Sequence, residues 1–295
     1  MAAGFEACGD ECRGEKMAQL FGYEVVDTLG QGAGSTIYAV SHPQTRQLCA
    51  LKHVLVQNEK EQRFIEQLRA EFEVGQKVNH PGLRKCLDLK LKSNWLGKVS
   101  EAALVMELVD GVPLDVECPG SILGILDCFI QAANGLHALH ALGYVHCDLK
   151  PANILVSAAD GQTKIIDLGQ ACSTGTKKER IQGTPDYIAP EQVKREPVSP
   201  RTDVYNLGAT LYTCLSGEKL PTLFTCGKGD NSFLVNDRIR SPHEIKCNVP
   251  ENLSNLVMEC VKIKPERRPT DMAEVARRLD VIRFGLERRE LAATA

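Results

Sequence analysis

The sequence predicts an α+β fold in which strands come first and helices follow. Three observations carry this. Strand-like runs crowd the first part of the chain, at 23–29, 35–40, 48–52 and 103–111. Apolar residues at helical spacing take over from Ile122 to Leu142, after Asp203, and again from Leu253 onward. Among these helical stretches stands a dense polar stretch, His146 to Asn153, followed by Asp167-Leu168-Gly169. At 295 residues the chain is long enough for one two-lobed domain or two small ones, with a substantial core.

Bulk composition excludes several classes. Hydrophobic residues make up 43% and charged residues 25%, as in an ordinary soluble protein. A formal net charge of -3 gives no reason to expect nucleic-acid binding, although basic pairs occur at Lys177-Lys178 and Arg288-Arg289. No apolar run approaches the roughly 20 residues that span a bilayer. The start, Met1 to Cys8, lacks the basic and apolar segments of a secretory signal, so the protein reads as cytoplasmic. The 12 cysteines are irregularly spaced, with no Cys-x-x-Cys pair, and Cys8 with Cys12 has no second pair to complete a tetrahedral metal site. They read as reduced, mostly buried small hydrophobes.

Residues 1–20 are small, polar and aperiodic and read as a flexible tail, with order expected from Phe21. The runs 23–29 and 35–40 flank Gly30-Gln31-Gly32-Ala33-Gly34, a hairpin whose backbone can approach phosphate oxygens because glycine lacks a Cβ. A third strand, Leu48-Cys49-Ala50-Leu51-Lys52, ends in a lysine. A helix from about Glu61 to Val78 follows, with Phe64, Leu68, Phe72 and Gly75 on one stripe. Ala103 to Gly111 reads as a buried strand ending in a turn, and Ile122 to Leu142 as a helix in which His137 and His140 lie on the face without a chemical role. His146 reads as a packed core histidine. Residues 221–245 read as loop with short helical turns. A last helix, capped by Thr270, carries Met272, Val275, Leu279, Ile282 and Leu286 as a core-packing stripe. No internal repeat appears.

The polar stretch carries the chemistry. Asp148, Lys150 and Asn153 place a carboxylate, an amine and an amide within six residues, and Asp167 adds a second carboxylate before a glycine. Asn153 and Asp167 are hard oxygen ligands suited to Mg2+, which keeps several waters and shares substrate phosphates. Asp148 can accept the proton of an acceptor hydroxyl, and Lys150 sits where charge builds on a transferring phosphoryl group.

At these residues the chain resembles the protein kinase family, serine/threonine type. That family's catalytic loop reads His-Arg-Asp with Asn five residues after the Asp, and its metal motif reads Asp-Phe-Gly. The segment Gly183-Thr184-Pro185-Asp186-Tyr187-Ile188-Ala189-Pro190-Glu191 resembles the end of a serine/threonine kinase activation segment. The resemblance covers about residues 21–291 and implies a two-lobed fold, with a small β-rich lobe (21–109) holding one regulatory helix and a larger, mainly helical lobe (110–291). It implies ATP and Mg2+ between the lobes, with Gly30, Gly32, Gly34, Ala50 and Lys52 around the nucleotide. Glu71 would pair with Lys52; Glu66 and Glu73, its rivals, read as solvated. Met106 would line the back of the adenine pocket, and the backbones of Glu107 and Val109 would bond its edge. Asn153 and Asp167 would bind metal and Asp148 and Lys150 would act in catalysis. Thr184 would bond Asp148 and Lys150, Asp203 would anchor the catalytic loop, and Arg268 would pair with Glu191. The partners implied are proteins bearing serine or threonine, and autophosphorylation is implied too. The compact loops look similar to bacterial members.

Three positions depart from the family pattern. Ser35 stands where the third glycine of the loop falls, so that the loop closes with slightly less freedom. Leu168 replaces the Phe and keeps an apolar contact with the regulatory helix. Cys147 replaces the Arg that receives a phosphate on the activation segment, so activity is expected not to depend strictly on phosphorylation there. The alternative is a pseudokinase, a nucleotide-binding scaffold, whose usual sign is loss of the lysine or of either aspartate; Lys52, Asp148 and Asp167 are all present. A small-molecule phosphotransferase is disfavoured by the Gly183–Glu191 element, which shapes a ledge for peptides.

Overall fold

The computed structural model describes residues 18–32, 34–225 and 239–294. Most of the expected tail, including Cys8 and Cys12, lies outside the described residues, as do Ala33 and 226–238 of the expected loop. Six antiparallel strands form the first sheet: β1 (Gln19–Leu20), β2 (Tyr23–Gly32), β3 (Ser35–Ser41), β4 (Leu48–Leu55), β5 (Cys86–Ser93) and β6 (Val99–Glu107), in the order β1-β2-β3-β4-β6-β5. Pairing thus begins at Gln19, ahead of the expected start at Phe21, because Gln19 and Leu20 double back on Glu24 and Tyr23. Strand β5 was not anticipated from the sequence.

Strand β4 shows how this lobe is built. Its side chains alternate between two apolar clusters, as strand geometry requires. Cys49 and Leu51 join Tyr23, Val40 and Val105 on one face, while Ala50 and Val54 join Leu68 and Met106 on the other. Lys52 lies between Ala50 and Val54 in the alternation, so it shares the face that looks toward α1 (Gln62–Lys77). The buried stripe of that helix is Ile65, Leu68, Glu71, Val74 and Gly75. Of the expected stripe, Leu68 and Gly75 are buried, while Ile65 and Glu71 take the places of Phe64 and Phe72, whose rings are only partly buried at the flank of the cluster. Glu66 and Glu73 are exposed.

The second lobe is mainly helical. It contains α2 (Ile122–Ala141), the short α3 (Pro190–Val193), α4 (Pro200–Ser216), α5 (Pro242–Ile245), α6 (Glu251–Cys260) and α7 (Met272–Thr294). Small strands β7 (Val112–Pro113), β9 (Ile154–Val156) and β10 (Thr163–Ile165) form a three-stranded sheet, and β8 (Tyr144–Val145) pairs with β11 (Cys172–Ser173). One apolar core joins α2, α4, α6 and α7 through Phe129, Leu136, Leu211, Leu256 and Leu279, and Leu168 belongs to it together with Val74 and Val78 at the end of α1. Helix α2 is long and apolar enough to cross a membrane by length and composition, but half of that window is buried in this core. Its apolar length exceeds what the sequence suggested, because the polar residues are interspersed.

Two expectations for this lobe are corrected. The last helix is capped by Asp271, not Thr270: Asp271 Oδ1 accepts the Glu274 N–H at 2.8 Å, while Thr270 donates to the Glu274 carboxylate. His140 is not an idle face residue, since its Nε2 lies 2.7 Å from Asp203 Oδ2; His137 is exposed. Helices α4 and α6 touch at Gly208, where a Cβ would sit 2.5 Å from Cys260 Cβ. Gly208→Ala is expected to cost about 1–3 kcal/mol through overpacking, measurable by denaturant unfolding.

The lobes are joined twice. The chain crosses once between β6 and β7. Residues 82–85 form the other join: Leu83 bridges Ile165, the Ile165 N–H donates to Gly82 O and the Arg84 N–H to Ile165 O, both at 2.9 Å. Lys77 Nζ donates to Tyr144 Oη at 2.7 Å, and Lys164 forms an ion pair with Glu107.

Candidate active site

A cavity of about 460 Å³ opens between the lobes. Its roof is the glycine hairpin, with Gly30 and Gly32 in the lining. Gly34 turns the tip at φ +90°, and a Cβ there would stand 2.4 Å from the Phe64 ring, so both backbone and space call for glycine. Ser35 also lines the cavity. Inside, Lys52 Nζ lies 2.7 Å from Glu71 Oε2 and 3.4 Å from Asp167 Oδ1. Glu71 is 1% exposed; Lys52 meets it because the two share the inward face described above.

The floor is the loop after β8. Asp203, fully buried on α4, receives the N–H of His146 at 2.7 Å on Oδ2 and that of Cys147 at 2.8 Å on Oδ1. Gln192 Nε2 donates to Cys147 O at 2.7 Å. Held at both ends, Cys147 adopts a left-handed φ of +67°, an uncommon state for a non-glycine residue, immediately before Asp148. His146 is buried, and its Nδ1 accepts the Asp148 N–H at 3.2 Å. Asp148 Oδ1 accepts both the N–H and the hydroxyl of Thr184 at 2.8 Å. Lys150 Nζ donates to Thr184 Oγ1 at 3.1 Å and stands 3.5 Å from Asp148 Oδ2. The Asn153 amide nitrogen donates to Asp148 O at 2.9 Å, which leaves its Oδ1 for another partner.

Electrostatics follow from these contacts. Burial opposes the charge of Asp167, but Lys52 and the Gly169 N–H, 2.9 Å from its Oδ1, outweigh it and hold the carboxyl below its usual range. Burial likewise pushes Lys52 down, yet Glu71 and Asp167 raise it above its ordinary value, so it is charged. For Asp203, His140 and the bonded amides overcome burial and lower the carboxyl. Asn153 and Asp167 both line the cavity, and their donor set is one carboxylate and one amide oxygen. Among the described residues no group of three or more His, Cys, Asp or Glu side chains converges as a metal cage. Two hard oxygens beside an open cavity fit Mg2+ that completes its shell with phosphates and water.

Ala50 and Met106 are cross-strand partners buried against α1, behind the cavity rather than in its lining. The Glu107 N–H is engaged with Lys85 O at 2.9 Å and its carboxylate with Lys164, while Val109 is partly buried at the crossing between lobes. The structure thus brings Gly30, Gly32, Lys52, Glu71, Lys150, Asn153 and Asp167 to one cavity and leaves Gly34, Ala50, Met106, Glu107, Val109 and Asp148 outside its lining, Asp148 standing beside it through Lys150 and Asn153. Sequence reasoning missed Arg84, which lines the same cavity, is nearly buried and adds a second cation that lowers Asp167. No motif marks it; only the 82–85 stitch carries it there. Gln67 and Phe64 also line the cavity.

A family model described as "Protein kinase domain" matches residues 23–279. The serine/threonine-protein kinase PknA of Mycobacterium tuberculosis is 32% identical over 262 residues, which cover 86% of this chain and 59% of PknA. The DNA damage-responsive serine/threonine-protein kinase RqkA of Deinococcus radiodurans is 29% identical over 272 residues, 86% of this chain and 38% of RqkA. The chain therefore spans well under two thirds of these relatives. The crystal structure of the Mycobacterium tuberculosis PknI kinase domain superposes with a TM-score of 0.68 at 20% identity, covering 90% of this chain and 97% of that one, a likeness of fold.

Proposed function

The chain belongs to the protein kinase family, and from that premise we propose that it transfers the γ-phosphate of ATP to serine and threonine hydroxyls of proteins, itself included. The observation that carries the reading is the Asp148–Thr184–Lys150 cluster, set beside a cavity that holds Lys52, Asn153 and Asp167. Thr184 occupies Asp148 Oδ1 with two bonds, so Oδ2 is the oxygen that faces an acceptor hydroxyl. That oxygen takes the hydroxyl proton as the hydroxyl oxygen bonds to phosphorus and the bond to the ADP oxygen breaks. Lys150 stabilises charge on the transferred group, and Lys52, fixed by Glu71, positions the α- and β-phosphates. Asn153 Oδ1 and Asp167 would hold Mg2+, which would supply charge neutralisation on the phosphates. The hairpin glycines close over them, and Ala50, Met106 and the backbones of Glu107 and Val109 bound the adenine. ATP as co-substrate, and nine described cysteines that are all free, support a cytoplasmic setting. No observation favours the scaffold alternative.

Labelled ATP with Mg2+ and a generic basic protein tests this directly. Phosphoserine or phosphothreonine is expected after hydrolysis of the product, with transfer abolished by a chelator. Phosphotyrosine, or no transfer, overturns it. Backbone bonds and two cation-to-carbonyl bonds order the activation segment without a phosphate: Thr174 N–H to Gly143 O and Gly175 N–H to Val198 O, both at 2.8 Å, Val198 N–H to Thr176 O at 3.0 Å, Lys178 Nζ to Gln170 O at 2.8 Å and Arg195 to Glu179 O at 3.2 Å. Replacing Ser173, Thr174 and Thr176 together by Ala, with Thr184 intact, is accordingly expected to leave transfer within about threefold. A tenfold or larger loss in a folded variant contradicts that.

A further inference from the structure

The thiol that replaces the loop arginine is not alone. Strand β11 places Cys172 opposite Val145, and two residues beyond Val145 the chain delivers Cys147 to the same side, with 3.7 Å between the two Sγ atoms. Val145 and Val198 complete the small apolar cluster around them. Cys147 is 1% exposed, whereas Cys172 is only partly buried. Cys172 is therefore the more accessible of the two residues, and Cys147 lies behind it. We propose that Cys147 and Cys172 form a redox pair, which a hydroperoxide joins in a disulfide that clasps the activation segment to the catalytic loop.

The chemistry balances with one hydroperoxide. The Cys172 thiolate attacks a peroxide oxygen, the O–O bond breaks, and Cys172 becomes a sulfenic acid as hydroxide or alkoxide departs with a proton. Cys147 Sγ then attacks the Cys172 sulfur, the S–O bond breaks, and hydroxide leaves as water with the Cys147 proton. Two thiols and one hydroperoxide give one disulfide, one water, and a second water or an alcohol. A dithiol reverses it. The sulfurs must close by about 1.7 Å to reach bonding distance, a side-chain and strand adjustment at the first strand of the segment. The order of attack agrees with the thiols' environments. The contact with Cys147 lowers Cys172 to about 7, with burial opposing and Lys178 assisting, while the same contact and burial hold Cys147 well above its ordinary value.

The clasp ties the chain just past Asp167-Leu168-Gly169 to the residue preceding Asp148. It supplies covalently the tether that an arginine and a phosphate supply where both are present. Its meaning for catalysis rests on the kinase reading; its formation does not.

The test uses the full chain without nucleotide. The protein is reduced, treated with hydrogen peroxide, alkylated, digested and analysed by mass spectrometry, with amide exchange measured on the same sample. A Cys147–Cys172 linked peptide is expected that disappears with dithiothreitol and in Cys172→Ser. Amide exchange over residues 172–184 is expected to slow about tenfold or more in the oxidised wild type only. Thermal unfolding of Cys172→Ser checks that the variant is folded, and the wild-type peptide map stands even if it is not. Oxidation of Cys172 to sulfinic acid with Cys147 left alkylated overturns the proposal, as does a disulfide that omits either residue, such as Cys118–Cys214. Linkage without slower exchange overturns the clasp. Loss of phosphoryl transfer in every form, with the linked peptide present, faults the kinase reading instead.

Discussion

Asp148→Asn is expected to lower phosphoryl transfer about 10³-fold while leaving the fold and nucleotide binding in place. The two Thr184 bonds end on Oδ1, and an amide oxygen accepts both equally well. Asn153 binds the backbone oxygen of residue 148, which the change does not touch. What disappears is the second carboxylate oxygen, the one beside Lys150 and clear of Thr184. An amide there cannot take a proton from the acceptor, so the loss falls on kcat and not on the nucleotide KM. Steady-state rates at varied ATP, with a thermal-shift titration of nucleotide, separate the two. A variant within tenfold of wild type in kcat would remove Asp148 from the mechanism.

Arg268→Ala is expected to be the most destabilising single change, at about 3–5 kcal/mol, or roughly ten degrees in Tm. The guanidinium and Glu191 are both almost wholly buried and meet through two parallel bonds, at 2.8 and 2.9 Å. Arg268 also donates to the carbonyls of Arg201, Lys262 and Ile263, and its guanidinium lies 4.9 Å from the Tyr205 ring centre. Truncation leaves a buried carboxylate whose remaining side-chain partner is the Thr202 hydroxyl, and takes the guanidinium donor from three backbone carbonyls. Removing Glu191 as well relieves the charge but not the carbonyls, so the double alanine variant is expected to recover only part of the loss. Calorimetry of wild type and the three variants measures this, and a cost below 1 kcal/mol for Arg268→Ala would contradict the argument.

Much of this site is legible in the sequence because its chemistry sits in short motifs. Asp148, Lys150 and Asn153 are held by one local turn, and Asp167 owes its bond from Gly169 to two residues of chain. The Lys52–Glu71 pair was legible for a different reason: Lys52 ends the strand after the glycine hairpin and Glu71 falls ten residues before Pro81, where the family resemblance places its partner. Arg84 and His140 were not readable, since their partners come from distant segments and neither breaks a local pattern. Strand β5 had a signal, its Leu87, Leu89 and Leu91 alternating with Asp88 and Lys90, but Leu87 and Leu91 point to solvent at the edge of the sheet. The place of Glu71 on the buried face of α1 eluded the helical stripe because a purely apolar count passes over a carboxylate and takes Phe72 instead. The pairing of Cys147 with Cys172 depends on β11 returning to β8, a contact between two-residue strands too short to leave a period.

The double join between the lobes makes α1 a lever. Its last turn is pinned through Lys77 to Tyr144, and the chain just after it through Leu83 to Ile165, so the fulcrum lies at the Val78 end, on the larger lobe. At about 1.5 Å per residue, Glu71 stands roughly 10 Å from that fulcrum and Phe64 roughly 20 Å. A 10° swing of the helix therefore moves Glu71 by about 2 Å and the Phe64 end, with the glycine tip resting on it, by about twice that. Two ångströms is enough to part a 2.7 Å ion pair. Any rotation about that pivot would thus reach the Lys52–Glu71 contact, and the roof of the cavity would travel furthest of all.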